Sequence, residues 1–202
     1  MKQRRAGDVV LCLLEQGIDH PIEARILSGL EEAIRERGYR MVSGVVPIDP
    51  RMETLRLVQS LGASLAGLAI QPYRPNKELA ELLLNPPVRS IPHILIGHYY
   101  DNLSINSCVI DNYGGMYAVT NLLLRHGRRR PAFIGEISLS STEHERHMGF
   151  CMACLHAGVR VPPSHFIDLY HEADLRARLG EMFSSHEPPD ALVCLHDALA
   201  AN

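Results

Sequence analysis

The sequence predicts an α/β protein of two lobes, each a parallel sheet flanked by helices. Three stretches carry that prediction: Val109-Ile110-Asp111-Asn112-Tyr113-Gly114-Gly115, Gly127-Arg128-Arg129-Arg130-Pro131-Ala132-Phe133-Ile134-Gly135, and Arg146-His147-Met148-Gly149-Phe150. They read in order as strand, helix, strand and helix, with polar residues where strands end. Open parallel sheets bind ligands beyond the carboxyl ends of their strands. Asp111 and Arg146 therefore fall where a small molecule docks, which points to a sensor.

Val9 to Glu15 is a continuous apolar run, suited to a strand covered by helices on both faces. From Pro21 to Arg37, Ile22, Ile26, Leu27, Leu30, Ala33 and Ile34 recur at helical spacing, with proline fit for the first turn and Gly38 for the stop. The alternation continues with strand Arg40 to Val46, helix Pro50 to Leu61, strand Ala66 to Gln71 and helix Asn76 to Leu84. Pro86-Pro87 ends that helix, because proline cannot extend it. Strands His93 to Gly97 and Cys108 to Asp111 follow, then helix Gly115 to Arg125 and strand Ala132 to Gly135. Helix Glu143 to Ala157, strand His165 to Tyr170, helix Ala173 to Ser185 and strand Ala191 to Leu195 complete the series, and Asn202 lies inside the next helix. With no repeat or low-complexity linker, topology places the lobe boundary near Gly127 to Pro131: a tail over residues 1–7, a first lobe over 8–127 and a partial second lobe over 128–202.

Composition narrows the function. The 202 residues are 46% hydrophobic, enough for a sizeable core, and a net charge of −3 leaves no chain-wide footprint for nucleic acid. Arg128-Arg129-Arg130 is too short to supply one. No run approaches the ~20 apolar residues of a membrane helix. The apolar stretch from Val9 to Leu14 is shorter than a signal peptide needs. A cytoplasmic protein without a membrane partner is expected, and five scattered cysteines fit a reducing compartment. Nucleophile-elbow, phosphate-loop and metalloprotease motifs are missing, so neither an enzyme nor a cofactor is expected.

Taken in order, these segments resemble the effector-binding domain of the LacI/GalR family of bacterial transcription regulators, a periplasmic-binding-protein-like fold. The resemblance spans residues 8 to 201. Its anchors are Glu31 to Arg37 with Gly38-Tyr39, Ala66 to Ile70, Ile91 to Gly97, Val109 to Asn112 with Gly115 and Ala118, Gly127-Arg128-Arg129, Arg146 with Gly149-Phe150, and Pro189 to Cys194 leading to Asp197 and Ala200. It implies a homodimer whose lobes close on a small-molecule effector, a sugar or sugar derivative, in the cleft between them. Such regulators carry a helix-turn-helix before the first strand, whereas about eight residues precede Val9. DNA is thus expected as a partner only through a domain absent from this chain, and the second lobe is expected to be incomplete.

The resemblance also implies that an arginine at the position of Arg146 clamps ligand oxygens. The planar guanidinium suits that task, offering five donors in a fixed fork. Gln71, Tyr73 and His98 follow the third and fourth strands, where polar groups converge and an aromatic face can stack on a sugar. Ile22 and Glu23 stand where relatives often place aromatic contacts, and the Glu23 carboxylate suggests a more polar ligand or a different contact. Tyr113 and Asp111 complete the set, with Asp111 equally fit to cap the following helix. His196 replaces the asparagine that relatives often have there, and Asp197 is expected to cap the last helix. One rival is a metal- or redox-responsive protein using His144, His147, Cys151, Cys154 and His156 on one helix. A degenerate dimerisation fragment is another.

Overall fold

A computed structural model describes residues 8–14, 21–45, 50–72, 76–136, 140–169 and 175–201. The chain divides into two compact units, Met1–Val109 and Ile110–Asn202. In the first, strands β1 (Val9–Leu14), β2 (Arg40–Val45), β3 (Leu65–Gln71), β4 (His93–Ile96) and β5 (Ser107–Cys108) alternate with helices α1 (Pro21–Glu36), α2 (Pro50–Leu61) and α3 (Lys77–Leu84). All pairings are parallel, in the order β2-β1-β3-β4-β5. The second holds α4 (Asn112–Arg125), β6 (Pro131–Gly135), α5 (Ser141–His156), β7 (Phe166–Asp168), α6 (Leu175–Phe183), β8 (Ala191–Cys194) and α7 (Asp197–Ala201), with parallel order β7-β6-β8. The expected α/β class and parallel sheets are present.

Alternation along the strands explains their apolar runs. On β6, Phe133 enters a core with Phe150, Ala153, Cys154 and Val193, while its neighbours Ala132 and Ile134 enter another with Ile167 and Met182. With both faces covered, the strand has no polar side to show. In the first unit Leu11, Leu13, Leu68, Ile70 and Leu95 pack with Leu79, Leu82 and Leu83 of α3. Gly38 ends α1 at φ +76, letting the Tyr39 amide donate to the Ile34 carbonyl at 3.1 Å.

Several expected bounds change, among them that of the helix expected from Gly115, which begins at Asn112, and of the strand expected over His165 to Tyr170, which is Phe166–Asp168. The unit boundary falls at Val109/Ile110 and not at 127/128, because α4 lies along α5: the Gly149 position approaches the Tyr113 carbonyl and Tyr117 amide so closely that no side chain fits. The strand expected over Cys108 to Asp111 ends at Cys108. Past the bond from Gly97 N to Cys108 O, the Asn112 amide turns back onto the Ile110 carbonyl, and Asp111 becomes the cap of α4. The next helix begins at Ser141, two residues before Glu143, and the Ser140 hydroxyl makes no cap bond.

Two fasteners hold β6 and β8 together at their amino ends. Buried His165 sets Nδ1 3.3 Å from the Pro131 carbonyl and Nε2 3.0 Å from the Glu187 carbonyl. Asp190 accepts the backbone N–H of Arg129 at 2.8 Å and of Arg130 at 2.9 Å. Burial raises the Asp190 pKa, but those two donors and the Arg130 and Arg128 charges outweigh it and hold the carboxyl below its ordinary value. A folded pKa below the unfolded one gives stability that is complete above the unfolded value, and is lost as pH falls through the folded one. Asp190→Asn is therefore expected to melt below wild type at neutral pH, with the gap closing below about pH 4. Thermal melts across pH test this; a gap unchanged down to acid pH counts against it.

Candidate functional site

Candidate residues gather at the carboxyl ends of the strands in each unit. In the first, Glu23 on the opening turn of α1 is only 6% exposed and accepts from Gln71 Nε2 at 3.3 Å. Gln71 closes β3, so strand and helix bring together two predicted residues 48 positions apart. The Gln71 Oε1 is buried with no partner among the described residues. His98 lies half-buried after β4. Nearby in that loop, the Tyr100 hydroxyl donates to the Asn76 carbonyl at 2.7 Å, and Asn76 itself caps α3 through Leu79 N at 2.8 Å. Tyr73 lies outside the described residues.

Arg146 organises the second unit. From α5 its Nε donates to Asn112 Oδ1 at 3.0 Å and its Nη1 to the Leu195 carbonyl at 2.9 Å. Asn112, only 4% exposed, is itself fixed: its Nδ2 donates to the Ile110 carbonyl at 3.2 Å and to Glu145 Oε2 at 3.3 Å. The guanidinium is thereby held on two edges by neutral oxygens, and Nη2 has no partner among the described residues. Burial lowers the Arg146 pKa from its ordinary value, and the Glu143 and Asp197 carboxylates pull the other way. A hollow of about 500 Å³ opens beside it, lined by Asp111, Asn112, Arg146, His196 and Asp197 with apolar Ile110, Met116, Val119 and Leu192.

The other candidates divide. Asp111 caps α4, its Oδ1 accepting from Gly114 N at 2.7 Å, and it still lines the hollow. Tyr113 stacks on Tyr117, with ring centroids 6.2 Å apart. His196 takes the capping role expected of Asp197. Its Nδ1 accepts from Leu199 N at 3.1 Å, whereas Asp197, the first residue of α7, accepts from Ala198 N at 2.9 Å. Asn112 was not a sequence candidate, and its position beside Asp111 at the head of a helix was the only available signal. A second hollow, of about 770 Å³, lies at the opposite, amino ends of the first unit's strands against Asp8, Tyr39, Leu65 and Pro92, away from every described candidate residue.

The cysteine-histidine helix is built for packing. Cys151 Sγ lies 3.4 Å from His147 Nε2, while Cys154 is buried in the apolar core. Burial raises the Cys151 thiol pKa, and burial together with Cys151 pushes that of Cys154 up to about 11. Burial and His144 lower the His147 pKa against a smaller pull from Asp168. The protonated thiol is a poor nucleophile and a poor metal ligand, so this pair lacks the depressed pKa that redox or metal chemistry requires. No group of three metal-binding side chains occurs among the described residues.

The model of the family described as periplasmic binding proteins and sugar binding domain of LacI family matches residues 8–202. The chain belongs to this family. The LacI-family domain resembles the arabinose metabolism transcriptional repressor of Geobacillus stearothermophilus, being 29% identical over 186 residues, 87% of this chain and 50% of that protein. It spans about half the length of the curated relatives it matches. Among solved structures, a LacI-family regulatory protein from Chloroflexus aggregans superposes with TM-score 0.80 at 18% identity, over 95% of this chain and 69% of that one. A transcriptional regulator CelR in complex with cellobiose superposes with TM-score 0.65 at 24% identity, over 81% and 50%. At such identities the likeness shows the LacI-family fold alone.

Proposed function

We propose that this chain is the effector-sensing part of a LacI-type transcription regulator, binding a sugar or sugar-like molecule without transforming it. The arrangement of Arg146 carries the reading. Its guanidinium is oriented by Asn112 and the Leu195 carbonyl and keeps its Nη2 donors for a ligand oxygen, beside a hollow at the carboxyl end of β8. Glu23, Gln71 and His98 supply polar groups at the carboxyl ends of the first unit. In this reading one effector draws on both sets, in the cleft between the lobes, and shifts the population of states toward the closed one. Regulation is passed on through a homodimer in the cytoplasm. The family's description as a sugar binding domain and the arabinose metabolism repressor among its relatives support a carbohydrate effector.

Titration calorimetry with arabinose, glucose, galactose and cellobiose tests the proposal. Saturable binding of at least one is expected, with a rise in Tm that grows with ligand concentration by mass action. Silence across the panel by both readouts opposes it.

A further inference from the structure

Resting on that effector reading, we infer that the Arg146 hollow selects uncharged polyhydroxy ligands over anionic sugars, with Glu143 and Asp197 as the residues that set the preference. A lone arginine in a ligand hollow commonly suggests a carboxylate or phosphate partner. Here the surrounding charges argue otherwise. Among the described residues Arg146 is the only Lys or Arg lining the hollow, and Asp111 and Asp197 line it too. Glu143 lies within electrostatic reach of the guanidinium, as does Asp197. One cation and two carboxylates thus line the hollow, a third carboxylate acts on the guanidinium through space, and an incoming anion meets net negative charge. The groups that touch Arg146 directly, an amide oxygen and a backbone carbonyl, are neutral, so its charge is balanced through space and not by a contact that a ligand anion replaces.

The hydrogen-bond inventory points the same way. Nη2 of Arg146 needs an acceptor. The Glu143 Oε2, on a residue outside the lining of the hollow, is buried with no partner among the described residues and leaves its charge to act on Arg146 through space. Asp111 and Asp197 each commit one oxygen to a backbone N–H. Their remaining oxygens add acceptors to the hollow. A hydroxyl both accepts and donates, and so serves the guanidinium and a carboxylate together. A ligand carboxylate or phosphate dianion only accepts, leaving those oxygens unanswered and adding like charge.

The test titrates the full chain with galactose, glucose and cellobiose beside their carboxylate counterparts galacturonate, glucuronate and cellobionate. Each sugar that binds is expected to bind about tenfold or more tightly than its acid. Glu143→Gln and, separately, Asp197→Asn are expected to shrink that ratio several-fold, roughly the loss of one repulsive charge. Both replacements keep the side-chain shape, and two variants guard against either one failing to fold. An acid that binds as tightly as its sugar overturns the inference while leaving the effector reading intact, as does a ratio unchanged in both variants. Binding of neither member of any pair overturns the effector reading and this inference with it.

Discussion

Gly149→Ala is expected to destabilise the second unit by roughly 3 kcal/mol and to lower its Tm by about 10 °C or more. Helix propensity alone predicts the opposite sign, since alanine is favoured over glycine inside a helix by about 1 kcal/mol. Packing decides. A Cβ at residue 149 would run into the Tyr113 carbonyl oxygen and would lie 3.0 Å from the Tyr117 amide nitrogen and 3.2 Å from Met116 Cβ. Two of those atoms are backbone and cannot swing aside as the end of a side chain does, so α4 and α5 must separate. That separation disturbs Phe150 and Met116 in the core, and the bond from Arg146 to Asn112 that spans the same helix pair. Gly180→Ala on α6 is the internal control: a Cβ there meets nothing within 4 Å, so a small gain in stability is expected. Denaturant melts of both variants check the pair, and a Gly149→Ala protein as stable as wild type would sink the close-approach argument.

The contrast between these two glycines shows what the sequence can and cannot reveal. Periodicity located the strands and helices, because burial on both faces leaves a continuous apolar run in a strand such as β1 and a 3.6-residue stripe in a helix such as α1. The family resemblance picked out Arg146 with Gly149-Phe150, without the reason for the glycine, which lies in a helix more than thirty residues earlier. Local chemistry was legible only as a choice: Asp111 had the composition of a cap and of a ligand contact, and the structure shows the cap. At the head of α7 the choice fell on the wrong neighbour, because an imidazole nitrogen is a less familiar cap than a carboxylate and only the geometry shows His196 reaching Leu199 N. The unit boundary was misplaced for a related reason. Gly127 is a helix stop, and a helix stop looks like a boundary until the packing of α4 on α5 is known. Asn112 escaped notice since its partners Glu145 and Arg146 are tertiary, 33 and 34 residues away.

Arg146→Lys is expected to weaken binding of whichever sugar titrates by roughly 30- to 100-fold, equivalent to the loss of one or two hydrogen bonds from a charged donor. The guanidinium divides its edges: Nε to Asn112, Nη1 to the Leu195 carbonyl, Nη2 left for ligand. A lysine ammonium keeps the charge but has a single nitrogen on a flexible stem, and cannot hold both anchors while presenting donors to a third group. If charge alone mattered, the variant would bind like wild type, so the lysine replacement separates orientation from electrostatics. Asn112→Asp probes the same orientation from the other side. It keeps an oxygen for Arg146 Nε, deletes the donor to Glu145 Oε2 and the Ile110 carbonyl, and sets a second carboxylate against Glu145. Its affinity is expected to fall about tenfold, less than for Arg146→Lys, because the primary donor remains while its bearing is disturbed. Calorimetry on both variants, each first shown to melt cooperatively, checks the ranking. Arg146→Lys binding at wild-type affinity would show that the charge at this position, and not the fixed bearing of the guanidinium, is what the ligand uses.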